Sequence, residues 1–361
     1  MKLLMLCRYT EQGASSRLRS MQFVPGLERR GFDIQVHSLF NDQYLRYLYG
    51  KKPLPVSALL GAYLRRMSLS LRSRYWDVVW VEKEILPWLP AWLERLLLAN
   101  ARALVLDYDD AIFHRYDQHP SRWVTQLLGT KISRMMRRAD LVIAGSPYLA
   151  DYADSAGARW VELVPTSVDI RRYSPAAPDI THSGCPGNQQ NRFVLGWIGT
   201  PHTARYLQML SEVFQQLNRT GPMDFHFIGA PEGLDLGIDY KARTWNEQTE
   251  VSELQKLDCG IMPLQDSPFE QGKCGYKILQ YFACGIPAVA SPVGVNQHII
   301  CPGENGYLAA QTVDWVRHIN ELRCNPERRQ KMGQQGRTLV EQRYATSVAL
   351  NAIEGYLRQL S

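Results

Sequence analysis

Residues 269–296, FEQGKCGYKILQYFACGIPAVASPVGVN, decide how the rest of the chain is read. A glycine-broken loop (Gly272, Lys273, Cys274, Gly275) leads into a short helix, Gly285 is placed to stop it, Ala288 to Ser291 form a buried strand, and Pro292-Val293-Gly294 turn the chain. Loop, helix, strand and turn follow one another in under thirty residues. Tyr276, Leu279 and Ala283 recur as an apolar helix face, and Lys277, Gln280 and Cys284 form an adjoining stripe. The helix begins after Gly275, so its unpaired N–H groups, its dipole and the ammonium groups of Lys273 and Lys277 are expected to converge on a volume suited to a phosphate or diphosphate. A solvated amphipathic helix carrying two lysines for solubility accounts for the same residues.

The upstream sequence favours the ligand reading. Asp258 to Leu264 (DCGIMPL) reads as a strand leading into the loop, which puts the loop at a strand's carboxyl end, where open α/β sheets bind ligands. The amino terminus repeats the pattern. Lys2 to Cys7 as a strand, a loop of small residues containing Gly13, Ser15 and Ser16, a helix from about Arg17 to Arg30 and Phe32 to Ser38 as a second strand make a βαβ unit. Such a loop lets backbone approach a ligand closely, and it also serves as a plain tight turn.

With GYKILQYFACGIPAVASPVG as its most specific part, the chain resembles the nucleotide-sugar-binding segment of the family 4 glycosyltransferases, and the resemblance extends over nearly its whole length. It implies an α/β chain of GT-B fold: two doubly wound, Rossmann-like lobes with an interdomain cleft. Residues 1–170 would be the acceptor-side lobe, 171–192 a linker and 193–345 the nucleotide-sugar-binding lobe, with a terminal helix near 346–361 packing back on the first. The resemblance further implies that Gly13, Ser15, Gly199, Thr200, Arg205, Lys273, Gly275, Lys277 and Gln280 bind the donor. Relatives commonly carry two glutamates in this segment, one near the donor sugar and one on the ribose; here Gly272 and Gln280 stand there. They also commonly carry an arginine after the glycine of the strand Phe193–Gly199 and a lysine five residues on, where this chain has Thr200 and Arg205.

Composition sets the outer limits. With 361 residues, 45% hydrophobic and 21% charged, the chain is long enough for two globular domains. Seven cysteines include no C-x-x-C pair and leave one over, which fits a reducing compartment and gives no structural zinc pattern. The run at residues 1–9 is too short for a signal peptide, and the most apolar stretch, Ile85 to Leu106, is broken by Glu94, Arg95 and Arg102. The expected location is therefore cytoplasmic, with peripheral contact to the inner face of a membrane.

That contact rests on charge distribution. Net charge is +6, which does not point to nucleic acid, but Gln43 to Trp76 contains no acid and carries Arg46, Lys51, Lys52, Arg65, Arg66, Arg72 and Arg74 among aromatics and leucines. A basic, aromatic, helical insert of this kind lies on an anionic lipid surface, or packs on the sheet with a solvated basic face.

The remaining candidates follow the strand Ala103 to Tyr108. Asp107, Asp109 and Asp110 crowd three carboxylates at its carboxyl end, with His114 four residues beyond. Asp107-x-Asp109 also matches the short D-x-D signature of metal-dependent glycosyltransferases. Family members commonly use a histidine in this region to touch the donor sugar, so Asp109 and Asp110, together with Lys277, are the expected catalytic residues.

The reaction implied by the resemblance moves a sugar from a nucleotide diphosphate sugar to the hydroxyl of a glycan or lipid-linked acceptor, with retention and with neither cofactor nor metal. A nucleotide-sugar epimerase of the same fold and a noncatalytic sugar-nucleotide-binding protein are the alternatives, and the reaction product separates the three.

Overall fold

β1 (Lys2–Cys7), β2 (Asp33–Ser38), β3 (Val78–Glu82), β4 (Ala103–Tyr108), β5 (Leu141–Ala144) and β6 (Val161–Leu163) form a parallel sheet in the order β2-β1-β3-β4-β5-β6. The computed structural model describes residues 1–49, 55–176 and 192–360. Parallel strands covered on both faces read as unbroken apolar runs, and Leu3 to Leu6 and Val78 to Val81 are all buried. A second parallel sheet is built from β7 (Phe193–Ile198), β8 (Met223–Ile228), β9 (Lys241–Arg243), β10 (Cys259–Met262), β11 (Ala288–Ala290) and β12 (Gly306–Leu308), ordered β12-β11-β10-β7-β8-β9. In each sheet the strand order reverses direction once along the chain, as in a doubly wound fold, and ligand-binding loops are expected at the carboxyl ends beside that reversal.

The chain packs as two units. One comprises Met1–Ser167, Ser267–Cys274 and Thr346–Ser361; the other comprises Val168–Asp266 and Gly275–Ala345. The first unit thus includes the terminal helix Thr346–Gln359, whose Ala349, Ile353 and Leu357 are buried in the core under Leu3, Met5, Val78 and Trp80. Arg30 fixes that helix from outside by donating to Glu354 and Asn351.

Several local expectations change. The single helix expected from Arg17 to Arg30 is three short pieces, Ala14–Arg19, Met21–Phe23 and Val24–Glu28, because Pro25 restarts the chain and Gly26 lets Leu350 approach to 2.4 Å of where a Cβ would stand. Residues 171–176, expected to open a linker, pack within the second unit. Arg337 donates to the carbonyls of Ile170, Tyr173 and Ala283, and Tyr173 is buried. Residues 177–191, the rest of that linker, lie outside the described residues, as do Lys51 and Lys52. Arg66 is not a surface cation: it is buried and donates to the carbonyls of Cys7 and His37. Burial pushes its guanidinium down to about 10.

Candidate functional site

In the first unit, three neighbouring strands deliver charge to one place. β1 leads into Arg8, β3 into Glu82-Lys83-Glu84, and β4 into Asp107 to Asp110. Lys83 has a left-handed backbone (φ 64°), unusual for a side-chain-bearing residue, and its N–H donates to Asp107 O at 2.8 Å. That conformation directs its ammonium to Asp109 Oδ1 at 2.8 Å and Asp110 Oδ2 at 3.4 Å. Burial opposes the charge on Lys83, yet Asp109, Asp110 and Glu82 outweigh it and hold the group protonated far above neutral pH.

The loop residues predicted here do meet the carboxylates. Ser15 donates to Asp109 Oδ2 at 2.6 Å, and Ser16 donates to Glu82 Oε2 at 2.5 Å while accepting from Tyr9 N–H at 2.9 Å. Gly13, just before the helix, stands so close to Tyr9 that a Cβ would lie 2.4 Å from the Tyr9 Cβ. Asp107 is set apart, clamped by Arg19 at 2.5 Å and 3.2 Å and buried. Both carboxylates of the D-x-D pattern are therefore engaged by protein cations. His114 bonds Asp117 and Tyr148 on a helix of its own (His114–Asp117) and does not contact Asp109 or Asp110.

The segment Ser267–Cys274 completes this cluster. Lys273 reaches Asp110 Oδ1 at 3.4 Å, and Cys274 donates its thiol to Asp109 O at 3.1 Å. Burial raises Asp110, but Lys273, Lys83 and Arg115 overcome it and hold the carboxyl well below the usual carboxylate range. Burial pushes the Cys274 thiol up to about 12. Gly272 has a local reason to lack a side chain: a Cβ there would lie 2.6 Å from Ala111 Cβ and 2.8 Å from Ala111 N. The glutamate that relatives carry at this position would collide with the loop bearing Asp109 and Asp110.

In the second unit, the helix Tyr276–Ala283 starts after Gly275, as the sequence predicts, and Gly275 has a left-handed φ of 67° that glycine adopts without strain. Lys277 lies over the Trp197 ring at 5.7 Å. Lys273 thus meets Asp110 in the first unit, and Lys277 meets Trp197 in the second. Gly199 follows β7, and a Cβ there would lie 2.4 Å from the Trp197 ring and 2.8 Å from Thr203 Oγ1. Thr200 and Thr203 bond one another through the turn that follows. Arg205 stacks on Tyr206 at 5.0 Å and donates to its hydroxyl at 3.1 Å.

Gln280, on the stripe adjoining the apolar face, turns into the protein. It is buried, and its amide nitrogen donates to Glu250 Oε1 at 2.5 Å and to Tyr173 OH at 3.2 Å. Arg172 bonds the other oxygen of Glu250 at 3.1 Å, so a carboxylate from residue 250 sits beside the amide that replaces the family's glutamate. Sequence reading missed Lys83, Arg19 and Glu250. Lys83 had a signal, since charges alternating at the end of an apolar strand mark a ligand-facing edge. Glu250 had none, being thirty residues from its partner in sequence.

Residues 205–339 match the model of the family described as glycosyl transferases, group 1. A putative teichuronic acid biosynthesis glycosyltransferase of Bacillus subtilis, TuaH, is 26% identical over 173 residues, which is 44% of this chain and 42% of that protein. The match therefore spans less than half the length of that curated relative. Among solved structures, sucrose-phosphate synthase of Thermosynechococcus elongatus superimposes with a TM-score of 0.73 at 15% identity, covering 100% of this chain and 99% of that one. HepE of Anabaena, solved in complex with UDP-glucose, gives 0.72 at 17% identity over 99% and 100% of the two chains. The fold is thus the α/β fold of these structures, GT-B.

Proposed function

We propose, from a chain that is of the group 1 glycosyl transferase family over residues 205–339 and of GT-B fold, that it transfers a sugar from a nucleotide diphosphate sugar to a hydroxyl of a glycan or lipid-linked acceptor, with retention of configuration. The observation that carries this reading is the family match itself, which spans Arg205, the left-handed entry at Gly275, Lys277 and Gln280. In this reading Arg205, Lys277, Thr200 and the N–H groups at the start of the helix Tyr276–Ala283 stabilise the diphosphate as it leaves. A diphosphate oxygen then accepts the acceptor's proton, so no protein base and no metal is required.

Asp109 and Asp110, with Ser15 and Gly13, orient the acceptor hydroxyl; Lys83 fixes both carboxylates in place, and Lys273 and Lys83 keep Asp110 ionised. Beside the same lobe's helix Val56–Leu71, a groove of about 290 Å³ lined by Leu39, Phe40, Tyr44, Tyr47, Ala58 and Leu59 supports an acceptor with an apolar or ring-bearing portion. The protein works in the cytoplasm against an anionic membrane surface met through residues 43–76. Because HepE was solved with UDP and with UDP-glucose, uridine nucleotides are the first donors to try.

Calorimetry with UDP tests the donor site. Lys277→Ala and Arg205→Ala should each weaken binding by about 1.5–3 kcal/mol if the charge-assisted bond is direct; wild-type affinity in both variants removes the assignment. Turnover should persist in excess chelator. Activity abolished by chelator and restored by manganese would return the metal role to Asp107-x-Asp109.

A further inference from the structure

Three helices of the first unit turn apolar side chains outward. Val56–Leu71 exposes Val56, Leu60, Leu64 and Leu71 along one stripe; Ala91–Leu97 exposes Trp92 (64%) and Leu96; Arg122–Leu128 exposes Trp123 (75%) and Leu127. The first two helices pack side by side. The second is tied to the third through Trp88, half-exposed and held at φ 62°, whose ring meets the His119 ring edge-on; His119 in turn accepts from Ser121 N–H and from Thr125 Oγ1 at the start of the third helix. Each helix uses positions four apart, so these are deliberate faces rather than scattered exposed residues.

Charge says what covers them. Around these faces Arg65, Arg72, Arg74, Arg95 and Arg122 are exposed. The carboxylate within the three helices, Glu94, is buried and paired with Lys131 at 2.9 Å, and nearby Asp117 is taken by His114. A second copy of this chain packing on this face about a twofold axis would set arginine against arginine with no acid to pair. An anionic bilayer offers what the face lacks: phosphate for the guanidinium groups, and an interfacial layer in which tryptophan rings and leucines bury together. At sixteen residues the longest of the three helices is too short to span, and among the described residues no helix is long and apolar enough to cross a membrane.

We propose that these three faces, with Trp88, Trp92 and Trp123 as anchors, form one docking surface for anionic lipid, so that the first unit lies on the membrane rather than touching it through residues 43–76 alone. This goes beyond the transferase reading and stands without it, since it concerns lipid binding and not donor binding.

The test is co-sedimentation with vesicles of phosphatidylcholine containing about 30% phosphatidylglycerol. Wild type should pellet with these and not with phosphatidylcholine alone. Trp92→Ala/Trp123→Ala and Arg65→Gln/Arg95→Gln/Arg122→Gln should each lower the bound fraction at least about fivefold, with the thermal midpoint and UDP affinity unchanged. Tryptophan fluorescence of the wild type should be quenched by brominated phosphatidylglycerol, a readout that does not depend on any variant folding. Failure of the wild type to pellet, absence of quenching, or wild-type pelleting by the tryptophan variant overturns the proposal. So does a dimer in analytical ultracentrifugation that the tryptophan variant dissociates, since the face would then join two copies of the chain.

Discussion

Lys83 joins two carboxylates of the first unit at the carboxyl ends of its strands. Its ammonium is 5% exposed, sits between Asp109 and Asp110, and is delivered there by a backbone conformation that costs about 1–3 kcal/mol in a residue other than glycine. Removing one partner of a buried ion pair leaves an uncompensated charge. Lys83→Met should therefore destabilise the first unit by about 3–5 kcal/mol in urea unfolding, and a loss below about 1 kcal/mol would mean that Lys273 and Ser15 suffice to hold both aspartates. Asp110 gives a pH signature. Its carboxyl is held below its unfolded value, so its contribution is present above about pH 4 and is lost as pH falls through the lower folded value. Asp110→Asn should flatten the fall of the first unit's thermal midpoint on the acid side and leave its neutral-pH slope unchanged.

At the scale of elements, what could be read in the sequence was what apolar runs and glycines dictate. Parallel strands buried on both faces announced themselves in LLML and ALVL, and Gly275 and Gly285 bracketed their helix as expected. Short edge pieces were not legible. β9 is three residues, KAR, with no apolar core of its own, and β12 is the equally short GYL, so neither carries the apolar run that marks a strand. The site was legible in the same measure. Ser15 and the aspartates could be placed from the ends of strands, but the burial of Gln280 against Glu250 depends on a contact between segments thirty residues apart, which no local pattern encodes. Packing around the opening helix makes a further expectation. Gly333 lies so close to the helix end that a Cβ would meet Gly285 O at 1.8 Å, and at Gly275 a Cβ would meet Ile299 Cδ1 at 2.4 Å with φ positive. Gly333→Ala and Gly275→Ala should each cost at least about 1–3 kcal/mol in chemical denaturation, whereas Gly61→Ala, where nothing lies within 4 Å, should stabilise or leave stability unchanged.

For the whole molecule, the decisive feature is that the first unit is assembled from three stretches of chain, the last of them the helix Thr346–Gln359. Ile353 and Leu357 are buried in that unit's core. Leu357→Ala should cost about 2–5 kcal/mol, and calorimetry should show the loss in the transition that carries the first unit. The order of biosynthesis adds a constraint of its own. While the ribosome is still decoding β7 to β10 of the second sheet, the nascent chain already holds all six strands of the first but neither Ser267–Cys274 nor the closing helix, and an apolar floor around Leu3, Val78 and Trp80 stays uncovered until the helix Thr346–Gln359 has been made. The lobe begun earliest is the one completed last, and during translation it is the part of the protein that a chaperone has reason to hold.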